Sequence, residues 1–150
     1  PLLAEDGPLG QVWTLPRPMV YQALRKLLAQ GLVKERSTER SARGPERTIV
    51  AITPAGRRAL ERWLTRPVEH VRDVRTLFLL KLALLYRSGA DARPLLEAQK
   101  NALVRLQEVF AAAAKRSEGF DRLLMQWRLS SSRAAVTFIS DVLDALPPRV

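Results

Sequence analysis

RPMVYQALRKLLAQGLV, residues 17–33, reads as a helix with a legible start and stop. Apolar Val20, Ala23, Leu24, Leu27 and Leu28 recur at three- and four-residue spacing, which predicts a helix over 17–30. Pro18 suits the first turn, where its missing N–H has no partner to lose. Gly31 suits the left-handed position after the last turn. With Val20, Leu24, Leu27 and Leu28 expected to face inward, the other side presents Arg17, Tyr21, Gln22, Arg25 and Lys26. Those residue types match a nucleic-acid surface. Arginine can bond bidentately to guanine and glutamine to adenine, while tyrosine and lysine reach phosphate oxygens.

Downstream of this helix, LVKERST and TIVAITP supply two runs of strand formers, Leu32 and Val33, then Ile49, Val50 and Ile52. The Arg-Gly-Pro turn between them reads as the tip of a hairpin. Thr53 and Pro54 then form a helix start, with threonine as the cap and proline at the first helical position. That helix is expected to run to about Thr65, and Pro67 breaks the chain. The sequence therefore divides at that proline, into residues 1–66 and 67–150. Helix, tight turn, basic hairpin and capped helix follow one another in the order of a winged helix-turn-helix. In that order, 17–30 is the recognition helix and 37–47 the wing, whose Arg40, Arg43 and Arg47 would grip the DNA backbone.

The second half is expected to hold three helices that serve as a dimerisation domain. VEHVRDVRTLFLLKLALLYRSG reads as one helix ending near Gly89, apolar on much of its circumference. Asp91 caps the next, whose Leu95, Leu96, Leu103, Leu106, Phe110 and Ala113 form a stripe. Ser117-Glu118-Gly119 ends it. A last helix from Phe120 to about Leu146 places Leu124, Trp127, Ser131, Ala134, Phe138 and Val142 near a heptad seam. So much apolar helix surface exceeds what a small monomer needs. Phe78, Leu124, Trp127, Phe138 and Val142 are the residues expected at a homodimer interface. The fold class is mainly α with a small β-hairpin.

Composition narrows the function classes. The chain has 150 residues, 25 Lys+Arg against 15 Asp+Glu, and a net charge of +10. Residues 1–66 carry +6 and residues 67–150 carry +4. The longest apolar run, Leu77 to Tyr86, contains Lys81 and is half of what a membrane span requires. A chain without cysteine has no disulfide, thiolate nucleophile or Cys-ligated metal, and one histidine cannot supply a site that needs two. His70, between Glu69 and Asp73, reads as a surface or interface residue. Ser130, Ser131 and Ser132 have no His–acid pair in any motif, and no Gly-rich phosphate loop occurs. These features describe a basic, cytoplasmic protein that is not an enzyme, with no cofactor and no metal, whose excess charge favours a polyanion. The chain opens on Pro1, and PLLAED reads as the tail of a helix already under way. An N-terminal piece is therefore expected to precede it.

With these residues in view, RPMVYQALRKLLAQGLV followed by RTIVAITPAGRRALERWL resembles the PadR family of bacterial transcriptional regulators. The resemblance rests on Tyr21, Leu24, Leu27, Gly31, Leu32, Val33, Thr53, Pro54, Ala55 and Gly56, and spans about residues 8–66. It implies a homodimeric repressor that binds double-stranded DNA at an inverted-repeat operator, in some members released by a small aromatic effector. It also implies a helix before this chain begins and a His-Gly-Tyr string, of which only LLAED is present. Trp127, Phe78, Tyr86 and Phe138 could line an effector pocket, although such residues are by default simply dimer core. Two other readings stay open. The winged helix could contact a protein partner instead of DNA, or the chain could be an effector sensor without a DNA site.

Overall fold

The computed structural model describes residues 7–39 and 47–147, with the elements in the order helix, two-stranded ribbon, helix, a 3-10 turn, a π turn and then three further α-helices. The described residues fall into two compact units that divide between Trp63 and Leu64. That division lies slightly before the Pro67 boundary read from the sequence. The leading PLLAED and the wing tip with Arg40 and Arg43 lie outside the described residues.

In the first unit, α1 spans Arg17–Ala29, with Pro18 in its first turn. Its end is closed as the sequence predicts. The N–H of Gly31 bonds the Leu28 carbonyl and that of Leu32 bonds the Leu27 carbonyl, both at 3.0 Å. This double closure requires a left-handed residue, and Gly31 supplies it with φ of +67°. Strands β1 (Val33–Glu39) and β2 (Arg47–Ile52) then pair antiparallel, starting from Val33 opposite Ile52. The register slips between Glu35 and Ser37, so Arg36 is the extra residue of a bulge that sharpens the ribbon's twist. Helix α2 (Pro54–Thr65) follows directly.

The second unit holds the main core. Phe78, Leu95, Leu96, Leu103 and Ile139 are fully buried there, with Val68, Leu82, Leu85 and Ala92 around them. Helices α3 (Leu79–Ser88), α4 (Arg93–Arg116) and α5 (Gly119–Ala145) supply most of it. Gly89 closes α3 in the left-handed conformation, as its place in the sequence suggests. Asp91 accepts the N–H of Arg93 at 2.9 Å, although Ala92 holds the cap position.

Two expectations are corrected here. The segment 68–89 is not one α-helix. Residues 68–70 precede a single 3-10 turn (Val71–Asp73), a π-helical turn (Val74–Phe78) carries the chain onward, and only then does α3 begin. The wide turn rotates Phe78 fully into the core, a position that a uniform 3.6-residue repeat does not encode. Phe78 is consequently fully buried inside its own unit, whereas the sequence pattern placed it at a dimer interface.

Polar groups in this core are tied to backbone. Gln99, fully buried on α4, accepts the N–H of Val68 at 2.7 Å and donates to the same residue's carbonyl at 3.2 Å. Lys81 on α3, only 3% exposed, donates to the Arg66 carbonyl at 2.6 Å. Burial, and secondarily the charge of Arg66, pull its pKa below the usual 10.5. Ser132 on α5 donates to the Leu103 carbonyl of α4 at 3.2 Å. Residues 66–68, which follow α2 in the chain, are thus held by side chains of two different helices.

Candidate nucleic-acid interface

Helix α1 has no buried residue, and Arg17, Tyr21, Gln22, Arg25 and Lys26 are all exposed. They do not form one face. Gln22, Arg25 and Lys26 follow at positions i, i+3 and i+4 and share a side of the helix. Arg17 and Tyr21 instead lie on the line that continues through Leu24 and Leu28, which are the half-buried residues of α1. Tyr21 is still 65% exposed. Among the described residues no ion pair occupies Arg17, Arg25 or Lys26, so those charges face solvent.

The inward face differs from the sequence expectation. Leu24 and Leu28 are half-buried, whereas Val20 and Leu27 are exposed. The four residues span a wide arc, and β1 packs against α1. Met19 and Trp13 are exposed as well, so this unit presents apolar surface beside its basic one.

The ribbon adds charges to the same unit. Arg47 opens β2, opposite Glu39 of β1. Lys34 and Arg36 on β1 are exposed, and sequence reasoning passed over both. The signal for Arg36 was the bulge, which alternation alone cannot show, because it shifts one residue out of the two-residue repeat.

One hydroxyl organises the junction behind this surface. The Thr53 Oγ1 donates to the Gly31 carbonyl at 2.8 Å and accepts the N–H of Gly56 at 3.0 Å. The Thr53 N–H bonds the Leu32 carbonyl at 3.0 Å. Gly56 is buried, and a Cβ there would collide with the Leu32 carbonyl oxygen, so α2 starts close against the end of α1. This is why the stretch Thr-Pro-Ala-Gly stands after β2.

Helix, closed glycine turn, twisted basic ribbon and capped helix are thus present in sequence and in geometry. Residues 7–62 match the model of the transcriptional regulator PadR-like family. That segment of the chain is thus similar to a PadR-like regulator domain. Regulators, not enzymes, make up that family, in agreement with a sequence that offers no catalytic constellation. No curated protein matches the chain. Among solved structures, it is similar to Bacillus subtilis PadR in complex with operator DNA, at 21% identity and a TM-score of 0.42. That alignment covers 93% of this chain and 84% of the other.

The second unit contains an open groove of about 1160 Å³ beside the 3-10 and π turns. Leu79, Leu106, Phe110, Trp127 and Phe138 form its apolar lining, with Arg72, Arg75 and Arg128 among its polar residues. Tyr86 and Phe78 do not line it: Tyr86 is exposed elsewhere on the unit and Phe78 is in the core. His70 borders the groove, and no group of three metal-ligating side chains occurs among the described residues. Of the residues expected at a dimer interface, Trp127 is 70% exposed and Phe138 is exposed. Leu124 is half-buried, and Val142 packs against the unit's own core. Among the described residues no helix is long and apolar enough to cross a membrane.

Proposed function

We propose that the chain is a sequence-specific, double-stranded-DNA-binding transcriptional regulator that uses α1 to read bases and the ribbon to hold phosphates. The observation that carries this reading is the exposed Gln22–Arg25–Lys26 face on a helix followed by a basic twisted ribbon, within the segment that matches the regulator family. A side of α1 that offers one amide and two cations to solvent has the chemistry of major-groove recognition. The Bacillus subtilis protein noted above was crystallised with operator DNA, and the same kind of ligand suits this surface.

The regulator acts as a homodimer on an inverted repeat and represses. Supporting the dimer, α5 carries Phe120, Leu123, Trp127 and Phe138 as large exposed apolar side chains on one element. An isologous pair made through such a helix would present two copies of α1 to two half-sites. The groove beside Trp127 offers a place for a small aromatic effector that lowers DNA affinity.

The decisive experiment is a gel shift of the intact protein on the DNA upstream of its own gene, at two salt concentrations. A retarded band that outlasts excess shuffled duplex and weakens with salt is expected. If no duplex competes specifically, the surface of α1 serves a protein partner and the DNA reading fails.

A further inference from the structure

We infer that Thr53 is a positioning residue for DNA recognition: its single hydroxyl locks the end of α1 to the start of α2 and so fixes the direction in which α1 is presented. The inference rests on the DNA reading above but concerns residues that carry no charge and would touch no DNA. A threonine hydroxyl has one proton and two lone pairs. At Thr53 the proton goes to the Gly31 carbonyl at 2.8 Å, since the Leu32 carbonyl, at 3.2 Å, already receives the Thr53 N–H. A lone pair accepts the N–H of Gly56 at 3.0 Å, one of the donors that a helix start leaves without an intrahelical partner.

An ordinary cap ends its work there. This one also reaches across 22 residues of sequence to the residue that closes α1. Gly31 and Leu32 are the two residues whose N–H groups finish α1, and Val33, next in the chain, opens β1 opposite Ile52. The hydroxyl therefore stands where helix, ribbon and second helix converge. Gly56 completes the lock, because any larger residue would push α2 off the Leu32 carbonyl. Without the hydroxyl, α1 keeps its own hydrogen bonds and its charges, and the Thr53 N–H still bonds the Leu32 carbonyl, but the second bond, to the Gly31 carbonyl, is lost and the junction is held at one point instead of two. Base contacts, which depend on angle and distance, suffer from that loss, whereas phosphate contacts tolerate it.

The test uses the full chain and the duplex it enriches from a random-sequence library, beside a shuffled duplex of equal composition. Thr53→Val keeps the shape and removes the hydroxyl; Thr53→Ser keeps the hydroxyl. Thr53→Val is expected to weaken binding to the enriched duplex about tenfold, the loss of roughly one good base contact, with little change on the shuffled duplex or in the salt slope. Thr53→Ser is expected to bind as the parent does. Equal losses on both duplexes, or no loss at all, would overturn the inference. Hydrogen exchange of the free protein gives a reading independent of DNA. In Thr53→Val the amide of Gly56 and those of Gly31 and Leu32 should exchange faster, with the middle of α1 unchanged. If the parent enriches no duplex, the DNA reading fails, and unchanged exchange at those three amides would overturn the lock separately.

Discussion

Arg25 and Lys26 are the side chains on which the DNA reading depends most directly. Both are exposed, on the side of α1 that also holds Gln22. Replacing both by alanine is expected to weaken operator binding and to lower the slope of log K against log salt by about 1–2, which anisotropy titrations at several salt concentrations would measure. An unchanged slope would remove α1 from the interface. Lys81 makes a different kind of prediction. Its pKa is lowered in the folded state by burial first and by Arg66 second, so the folded chain binds fewer protons than the unfolded chain over an interval ending near 10.5. Across that interval stability rises with pH, because the unfolded state holds the extra proton. Lys81→Met should lack this rise, which urea midpoints of parent and variant measured at stepped alkaline pH would show. The charges on α1 could be read from the sequence because helical spacing exposes them to inspection. Lys81 could not, since its burial depends on α3 being covered on nearly every side.

At the scale of elements, α1, the ribbon and α2 were legible because each carries its own start and stop signals. Pro18 and Gly31 bound α1, and Thr53-Pro54 opens α2. The 3-10 and π turns between Val71 and Phe78 were not legible, since no proline or glycine marks them and the apolar spacing there suits a helix. Helix α5 shows a subtler miss. Its core side is centred on Ser132, Ile139 and Leu143, adjacent to the seam inferred from the heptad pattern. The inferred seam is the side left more exposed, and Trp127 on it is 70% exposed. Trp127→Glu should therefore leave the fold intact while weakening self-association by about 2 kcal/mol or more, as expected for a central aromatic anchor. Sedimentation across a concentration series checks this, and a variant as dimeric as the parent would move the interface off α5. Gly56→Ala acts within one unit only. The collision with the Leu32 carbonyl is expected to cost about 3 kcal/mol or more, read from a thermal melt of the intact chain.

For the molecule as a whole, the net charge of +10 is spread over both units, and the proposed DNA surface uses only the charges of α1 and the ribbon. Arg72, Arg75 and Arg128 border the groove of the second unit, where they would meet an effector or a partner copy instead. Salt dependence should follow the charges of α1 and the ribbon, not the total. Neutralising Arg105 and Arg133, exposed on α4 and α5, is expected to change the salt slope by less than about 0.5, within the experimental error of one phosphate contact. Gln99 gives the core a consequence of its own. It bonds the backbone of Val68 and not its side chain, with both donor and acceptor satisfied by a single residue. Position 68 is therefore open to exchange among apolar residues of similar size, with proline excluded for want of an N–H. Position 99 has no such freedom: an apolar replacement strands a buried amide and a buried carbonyl together, at about 1–3 kcal/mol each. Two residues joined by the same pair of bonds thus have opposite mutational tolerance. A saturation library read for folding should find 68 accepting several apolar residues of similar size and 99 nearly invariant.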